Sequence, residues 1–292
     1  MKLWIVVNHF LRNSKFTELE TRFERAAVKA GVDYAIVTNM ECMPEYSAGS
    51  LHTGVIPDDG NPVLFWDKDI ILARSLEKNG HRLYNSADAI ETCDNKILSG
   101  CRLAASGIRM PVTVPAPMTY SNIGYTDTSF IKNASKRLGY PVVVKEAFGS
   151  FGAQVYKADN YSELIRITDN ISSPFLLQEY IGSSYGRDIR LQVVGDRVAA
   201  SMYRYSDNDF RANVTNGGKM KPYIPNDAQC GLAVSAVKNL GLDFAGVDVL
   251  FGENDEPILC EVNSNAHFKN IDECTDSDIA GEIIKYILKD AL

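Results

Sequence analysis

The sequence lacks a long apolar run. Its first, Leu3-Trp4-Ile5-Val6-Val7, stops at Asn8-His9. A secretory leader needs a longer stretch and a bilayer span about 20 residues. The expectation is a cytoplasmic protein with no membrane partner. A disulfide or zinc pattern is also missing. Cysteines stand at 42, 93, 101, 230, 260 and 274, and no two of them form CxxC. Free thiols in a reducing compartment fit that usage. Nor is there an excess of positive charge. Lys and Arg total 30 against 37 Asp and Glu, a net charge of -7. Up to Ala116 there are 13 bases and 14 acids, and beyond it 17 and 23. With no basic half, a general nucleic-acid binder is not expected. No repeat or low-complexity tract occurs.

What is present is an ordinary globular composition, 45% hydrophobic and 23% charged over 292 residues. That length suits two or three compact units. The first part alternates strand and helix signals, which argues an open α/β sheet. Apolar β-branched runs predict strands at 2–7, 34–37, 63–66 and 82–84. Helical spacing predicts helices at 17–30 and 69–78, each stopped by Gly or Asn-Gly. Ser86 caps a further helix, and residues 40–62 read as loop. In the middle, helices at 95–106 and 130–138 flank a Pro-rich connector at 111–117. Strands follow at 142–146, 154–157 and 175–178. The last part holds strands at 189–194, 197–205, 244–250 and 257–262, with helices at 228–240 and 278–288.

Two strands each carry one acid in an apolar setting: Gly246-Val247-Asp248-Val249-Leu250 and Leu259-Cys260-Glu261-Val262-Asn263. A buried carboxylate is costly without a cation. Asn263 shares a strand face with Glu261, so the three make an oxygen-only set that suits Mg²⁺. Water-facing acids at strand ends fit the same pattern. Alternation points Cys260 away from this face, into the core. Val142-Val143-Val144-Lys145 is an apolar strand ending in lysine. The glycine-bearing stretch Phe148-Gly149-Ser150-Phe151-Gly152 follows it. Backbone N–H groups and a lysine can cradle phosphate, and a hairpin turn with a surface lysine is the plainer alternative. Leu176-Leu177-Gln178-Glu179-Tyr180-Ile181 runs from an apolar strand into backbone able to meet an adenine edge, with an ordinary strand exit as the plainer alternative. Asp188 and Arg190 follow. Between 187 and 221, seven bases face four acids, enough to bind phosphate or carboxylate or simply to form a solvated face.

In this order the pieces resemble the ATP-grasp superfamily, specifically its RimK-like carboxylate–amine ligases. The resemblance is carried by Gln178-Glu179-Tyr180-Ile181, Asp188-Ile189-Arg190, Val193-Val194-Gly195-Asp196, Asp209-Phe210-Arg211-Ala212-Asn213, Ala245-Gly246-Val247-Asp248, Glu261-Val262-Asn263 and Asp278-Ile279-Ala280. It runs from about Cys93 to the end. It implies an α/β fold, α+β in the C-terminal part. Residues 1–92 would be a pre-ATP-grasp α/β domain, 93–176 the central subdomain with a mobile phosphate loop, and 177–292 the subdomain with the metal site.

The implied cofactors are ATP and two Mg²⁺ ions, with Mn²⁺ as a substitute. The implied partners are a small-molecule or peptide carboxylate and an amine, with room for an oligomer. On matching positions, Lys96 and Lys145 would contact phosphate, and Gly149, Ser150 and Gly152 would cover it. Gln178, Glu179, Tyr180 and Ile181 would line the adenine edge, between Val143 and Leu250. Asp188 would hold the ribose. Asp248, Glu261 and Asn263 would hold metal. Arg190, Arg211 and Asn213 would face the γ-phosphate and the reacting carboxylate. A nucleotide-binding regulatory module, or a phosphotransferase on the same fold, would share the nucleotide residues. Where the family continues with a small residue and Ser-Pro-Gly, this chain reads Ser264-Asn265-Ala266-His267-Phe268-Lys269. That loop is expected to set the choice of acceptor and to leave nucleotide binding alone, with His267 the better candidate than His9.

Overall fold

The computed structural model describes residues 1–120, 122–149, 152–214 and 217–291. Three sheets follow one another along them. The first is parallel, in the order Asp33–Thr38, Lys2–Val7, Val63–Trp66, Leu83–Tyr84. Its interior strands read as near-continuous apolar runs because both faces are covered. The helix Ser14–Ala30, capped by Asn13 and closed by Gly31 in the left-handed conformation, lays Leu19 and Phe23 on one face. Ile70–Lys78 covers the other. The first face also meets Ile283, Ile284 and Ile287 of the helix Ile279–Asp290. One core therefore joins the start of the chain to its end.

The second sheet is antiparallel, in the order Thr113–Pro115, Phe175–Glu179, Val142–Glu146, Val155–Ala158. Ser129–Leu138 and Tyr161–Thr168 contribute to its core. The third has five antiparallel strands, in the order Lys219–Pro222, Arg197–Tyr205, Arg187–Val194, Phe244–Phe251, Pro257–Asn263. The helix Asp227–Leu240, opened by an Asn226/Gln229 capping box, packs Ala233, Val237 and Leu240 on it.

The mixed α/β architecture is the one expected, with four local corrections. Residues 40–62 contain a hairpin, Pro44–Ser47 with Ser50–Thr53. The Pro-rich connector holds the strand Thr113–Pro115, and Lys219–Pro222 is a further strand. Both lie at sheet edges, where a proline's missing N–H breaks no ladder. A short helix, Lys269–Thr275, follows the divergent loop. No helix among the described residues is long and apolar enough to cross a membrane.

Candidate active site

Register decides what the third sheet can do. Arg190 stands opposite Asp248, Asp248 opposite Glu261, and Asp188 opposite Arg204. Arg190 clamps Asp248 through Nε and Nη2, the latter at 2.8 Å. Arg204 donates to both oxygens of Asp188 at 2.7 Å and lies 2.9 Å from Asp248 Oδ1. Asp248 and Arg204 are only 6% and 4% exposed. Gly246 makes room for this cluster. A Cβ there would come 2.4 Å from Ala266 Cβ and 3.0 Å from Arg190 Nη1.

Burial pushes the Asp248 carboxyl up, but the Arg190 and Arg204 guanidiniums outweigh it and hold the group at about 2. Asp188 moves the other way. Its burial outweighs the pull of Arg204, and the charge of Asp248 adds to the rise. Buried among these acids, the Arg204 guanidinium is held above its ordinary value despite desolvation.

Between Asp248 and Val249 the register to the neighbouring strand slips. Asp248 pairs with Glu261 and Val249 with Leu259, so Cys260 is the extra residue of a bulge. Strict alternation fails there, and the expectation that Cys260 is core is corrected. It lines the cavity, and its Sγ lies 3.9 Å from Lys145 Nζ. Burial pushes its thiol up to about 11, against the pull of Lys145.

Lys145 belongs to the second sheet, so that contact closes a cavity of about 540 Å³ between the two sheets. Val143, Lys145, Gln178, Glu179, Tyr180 and Ile181 line one wall. Asp188, Arg190, Asp248, Leu250, Glu261 and Asn263 line the other, with Gly152, Arg211 and Asn213 at its margin. Lys145 is 7% exposed, and no carboxylate among the described residues lies within ion-pair distance of it. Arg211 donates to the Gly152 carbonyl at 2.7 Å and is itself held by Asp209.

Lys96 and Gly149 fall outside this cavity. They share a narrow recess with Glu261 and Asn263. Lys96 Nζ donates to the Gly149 carbonyl at 2.9 Å and lies 3.8 Å from Glu261 Oε1. Ser150 lies outside the described residues.

The donor set fits a hard cation. Asp248 and Glu261 stand opposite one another, and Asn263 shares Glu261's face. All three line the cavity, Asp248 with its oxygens on Arg190 and Arg204 and Glu261 with Lys96 at 3.8 Å. Oxygen donors of this kind suit Mg²⁺ when substrate phosphates complete the shell. Among the described residues there is no cluster of three or more His, Cys, Asp or Glu that could hold a metal without them.

The cavity also reaches Asn8, a candidate with His9 at the end of the first strand, and Asp67, which the sequence did not single out. Asn8 and Asp67 sit past the carboxyl ends of the strands Lys2–Val7 and Val63–Trp66, where α/β sheets bind ligands. That rule could have found Asp67. His9, one residue past Asn8, does not line the cavity. Trp66 both borders the cavity and stacks on Phe244 at 5.7 Å. Arg204 is one of the seven bases between 187 and 221. Its partner became visible through the strand register.

His267 lines the same end. Its Nε2 donates to the Lys15 carbonyl at 2.8 Å. Burial pushes the imidazole below its ordinary value, against the weaker pull of that bond. The unfolded chain therefore binds this proton more readily. The resulting stability is in place above about pH 6.5 and is lost as the pH falls through the folded value. Melting temperature should drop over that interval, and His267→Gln should flatten the drop. An equal slope in both proteins would show that other groups cause it.

Comparison with known proteins points one way. Residues 93–287 match the model of the RimK-like ATP-grasp domain. Over 227 residues the chain is 37% identical to beta-citrylglutamate synthase B of Danio rerio, covering 76% of this chain and 54% of that protein. The chain thus spans about half the length of that relative. It is 32% identical over 286 residues to a probable alpha-L-glutamate ligase of Legionella pneumophila, covering 92% and 91%. Among solved structures, a RimK domain ATP-grasp protein of Sphaerobacter thermophilus superposes with a TM-score of 0.74 at 18% identity, over 99% of this chain and 100% of that one.

Proposed function

The chain belongs to the RimK-like ATP-grasp family, and we propose that it is an ATP-dependent carboxylate–amine ligase, active in the cytoplasm. We divide it at 1–92, 93–176 and 177–292. One observation carries the reading. A single cavity has a buried ammonium, Lys145, on one wall and the oxygen row Asp248, Glu261, Asn263 on the other. A triphosphate with its Mg²⁺ complements both walls.

Adenine would sit between Val143 and Leu250. The Glu179 N–H already donates to the Val112 carbonyl, and the Ile181 carbonyl accepts from Ser184. The Glu179 carbonyl and the Ile181 N–H are therefore the edges assigned to adenine, with Gln178 and Tyr180 beside them. Asp188, oriented by Arg204, takes the ribose. Lys145 and Lys96 meet the phosphates, and the stretch from Gly149 to Gly152 covers them. Mg²⁺, when bound, screens phosphate charge, and Asp248, Glu261 and Asn263 hold it.

A substrate carboxylate oxygen bonds the γ-phosphorus as the bond to ADP breaks. The acylphosphate so formed is attacked at carbon by an amine, and inorganic phosphate leaves with the C–O electron pair. The amine nitrogen loses its excess protons as the amide forms. Arg190, Arg211 and Asn213 face the migrating charge. Positioning and charge neutralisation supply the effect, and no protein nucleophile is required.

The test is ADP release with Mg-ATP against amino acids and acidic peptides, followed by mass spectrometry. Carboxylate-dependent ADP with an amide product is the expected result. ATP binding without turnover would leave a regulatory module, and a stable phosphorylated product would mean a phosphotransferase. Glu261→Gln should lower Mg-dependent ADP release by at least about 100-fold. Its side chain is 26% exposed and, among the described residues, its ion pair is with Lys96 at 3.8 Å, so melting should barely move. Near-normal turnover would make Glu261 an ordinary strand acid.

A further inference from the structure

We infer that Asp67, in the first sheet, anchors the ammonium group of a small primary amine that serves as the second substrate. The inference rests on the ligase reading above and deepens it. Asp67 lies in residues 1–92, outside the stretch that matches the family.

Asp67 is 7% exposed, yet it lines the large cavity. Its oxygens accept from Asn8 Nδ2 at 3.1 and 3.2 Å, and Oδ1 accepts from the Lys68 N–H at 2.7 Å. A carboxylate offers about four acceptor sites, so acceptor capacity remains on Oδ2. No cationic side chain among the described residues pairs with it, and the neighbouring ammonium of Lys68 goes to Asp94 instead. A buried carboxylate in that condition favours a cation from outside.

The neighbours decide which cation. A metal would need further oxygen donors converging on it, whereas Asn8 turns its amide nitrogen toward Asp67. A substrate carboxylate would be repelled. An organic ammonium needs only a hydrogen-bond acceptor of opposite charge, and the ligase reaction itself supplies one.

The position also suits the chemistry. Asn265 Nδ2 donates to the Asp67 carbonyl at 2.8 Å, and Asn265 stands two residues past Asn263. The divergent loop thus ties the anchor to the end of the oxygen row. The docked ammonium sheds one proton before its nitrogen attacks the acyl carbon and a second as the amide forms. Both pass to water or to the departing phosphate.

The experiment compares two half-reactions in wild type, Asp67→Asn and Asp67→Glu. Hydroxylamine traps an acylphosphate as a hydroxamate and is largely uncharged at neutral pH, so it needs no ammonium anchor. A panel of carboxylates is assayed with Mg-ATP and hydroxylamine, then with amino acids and diamines in its place. Asp67→Asn keeps acceptors for Asn8 and the Lys68 N–H. It should raise KM for the amine at least about tenfold, as expected for loss of a charge-assisted contact. Hydroxamate formation, KM for ATP and melting temperature should be unchanged, and Asp67→Glu should restore part of the amine affinity.

An unchanged amine KM overturns the inference. So does an equal loss of hydroxamate and amide, or a fall in melting temperature without a change in amine KM. Wild-type hydroxamate with no amide from any amine also overturns it, while leaving the ligase reading intact. No hydroxamate from any carboxylate in wild type would instead overturn the ligase reading.

Discussion

Asp248→Asn should both abolish Mg-dependent ADP release and lower the melting temperature. Two repelling acids alone would let the fold survive that change. The structure reverses that expectation. Asp248 faces Glu261, but it is bound by Arg190 and Arg204. Asp188, Asp248, Arg190 and Arg204 form a balanced buried group of two negative and two positive charges. An amide at 248 leaves one guanidinium charge uncompensated. Breaking a buried pair by removing one partner costs about 3–5 kcal/mol. Arg204 keeps Asp188, which places the expected loss near the lower end. At roughly 2–4 °C per kcal/mol for a chain of this size, melting should fall by about 6–12 °C.

The two acids proposed to hold the metal therefore separate. Glu261→Gln should match Asp248→Asn in turnover and differ from it in stability. The double variant should turn over no more slowly than either single one, because residues that act as a unit are non-additive. Acid titration adds an independent check. Asp248 has its folded pKa depressed to about 2 from an ordinary 3.8. Its contribution is present above 3.8 and is lost as the pH falls through 2. The gap in stability between wild type and Asp248→Asn should close over that range. A variant that melts like wild type at neutral pH would show that the bidentate contacts contribute nothing.

The contrast between Asp248 and its surroundings shows what a linear sequence reveals here. An acid inside Gly246–Leu250 was conspicuous because every neighbour is apolar. The same held for Lys145 at the end of three valines. Such residues announce a compensating partner by local chemistry alone. What stayed hidden was pairing across strands. Arg204 looks like any member of a basic run until register sets it opposite Asp188. Cys260 follows the alternation rule in the sequence and breaks it in the fold, because a bulge between Asp248 and Val249 adds one residue to the partner strand. Asp67 needed the cavity itself, since its only local signal is a place past a strand end. Val63–Trp66 was recognised as a strand by its apolar run. The hairpin at 44–53 was missed because Pro44–Ser47 is largely exposed, with no buried face to impose alternation.

Lys145 offers the second large effect, and its sign should depend on nucleotide. The side chain is nearly buried, and its contact in the cavity is the Cys260 sulfur at 3.9 Å, too long and too weakly polar to balance a charge. Among the described residues this ammonium, 7% exposed, has no carboxylate within ion-pair distance. Lys145→Met keeps the length and removes the charge, so the nucleotide-free protein should melt at or above wild type. With Mg-ATP the order should invert. Loss of a charge-assisted phosphate contact costs about 1.5–3 kcal/mol, a drop in affinity of at least about tenfold. At a fixed, saturating ATP concentration each tenfold loss removes about 1.4 kcal/mol of ligand-derived stability. Wild type should then melt higher than the variant by an amount that grows with ATP, until both are saturated. Calorimetric titration gives the affinity directly, and paired melts with and without Mg-ATP give the crossing. A variant that melts lower than wild type under both conditions by the same margin would mean that Lys145 is a packing residue. The triphosphate would then have to be placed elsewhere in the cavity. Unchanged ATP affinity would remove the wall on which the proposed function rests.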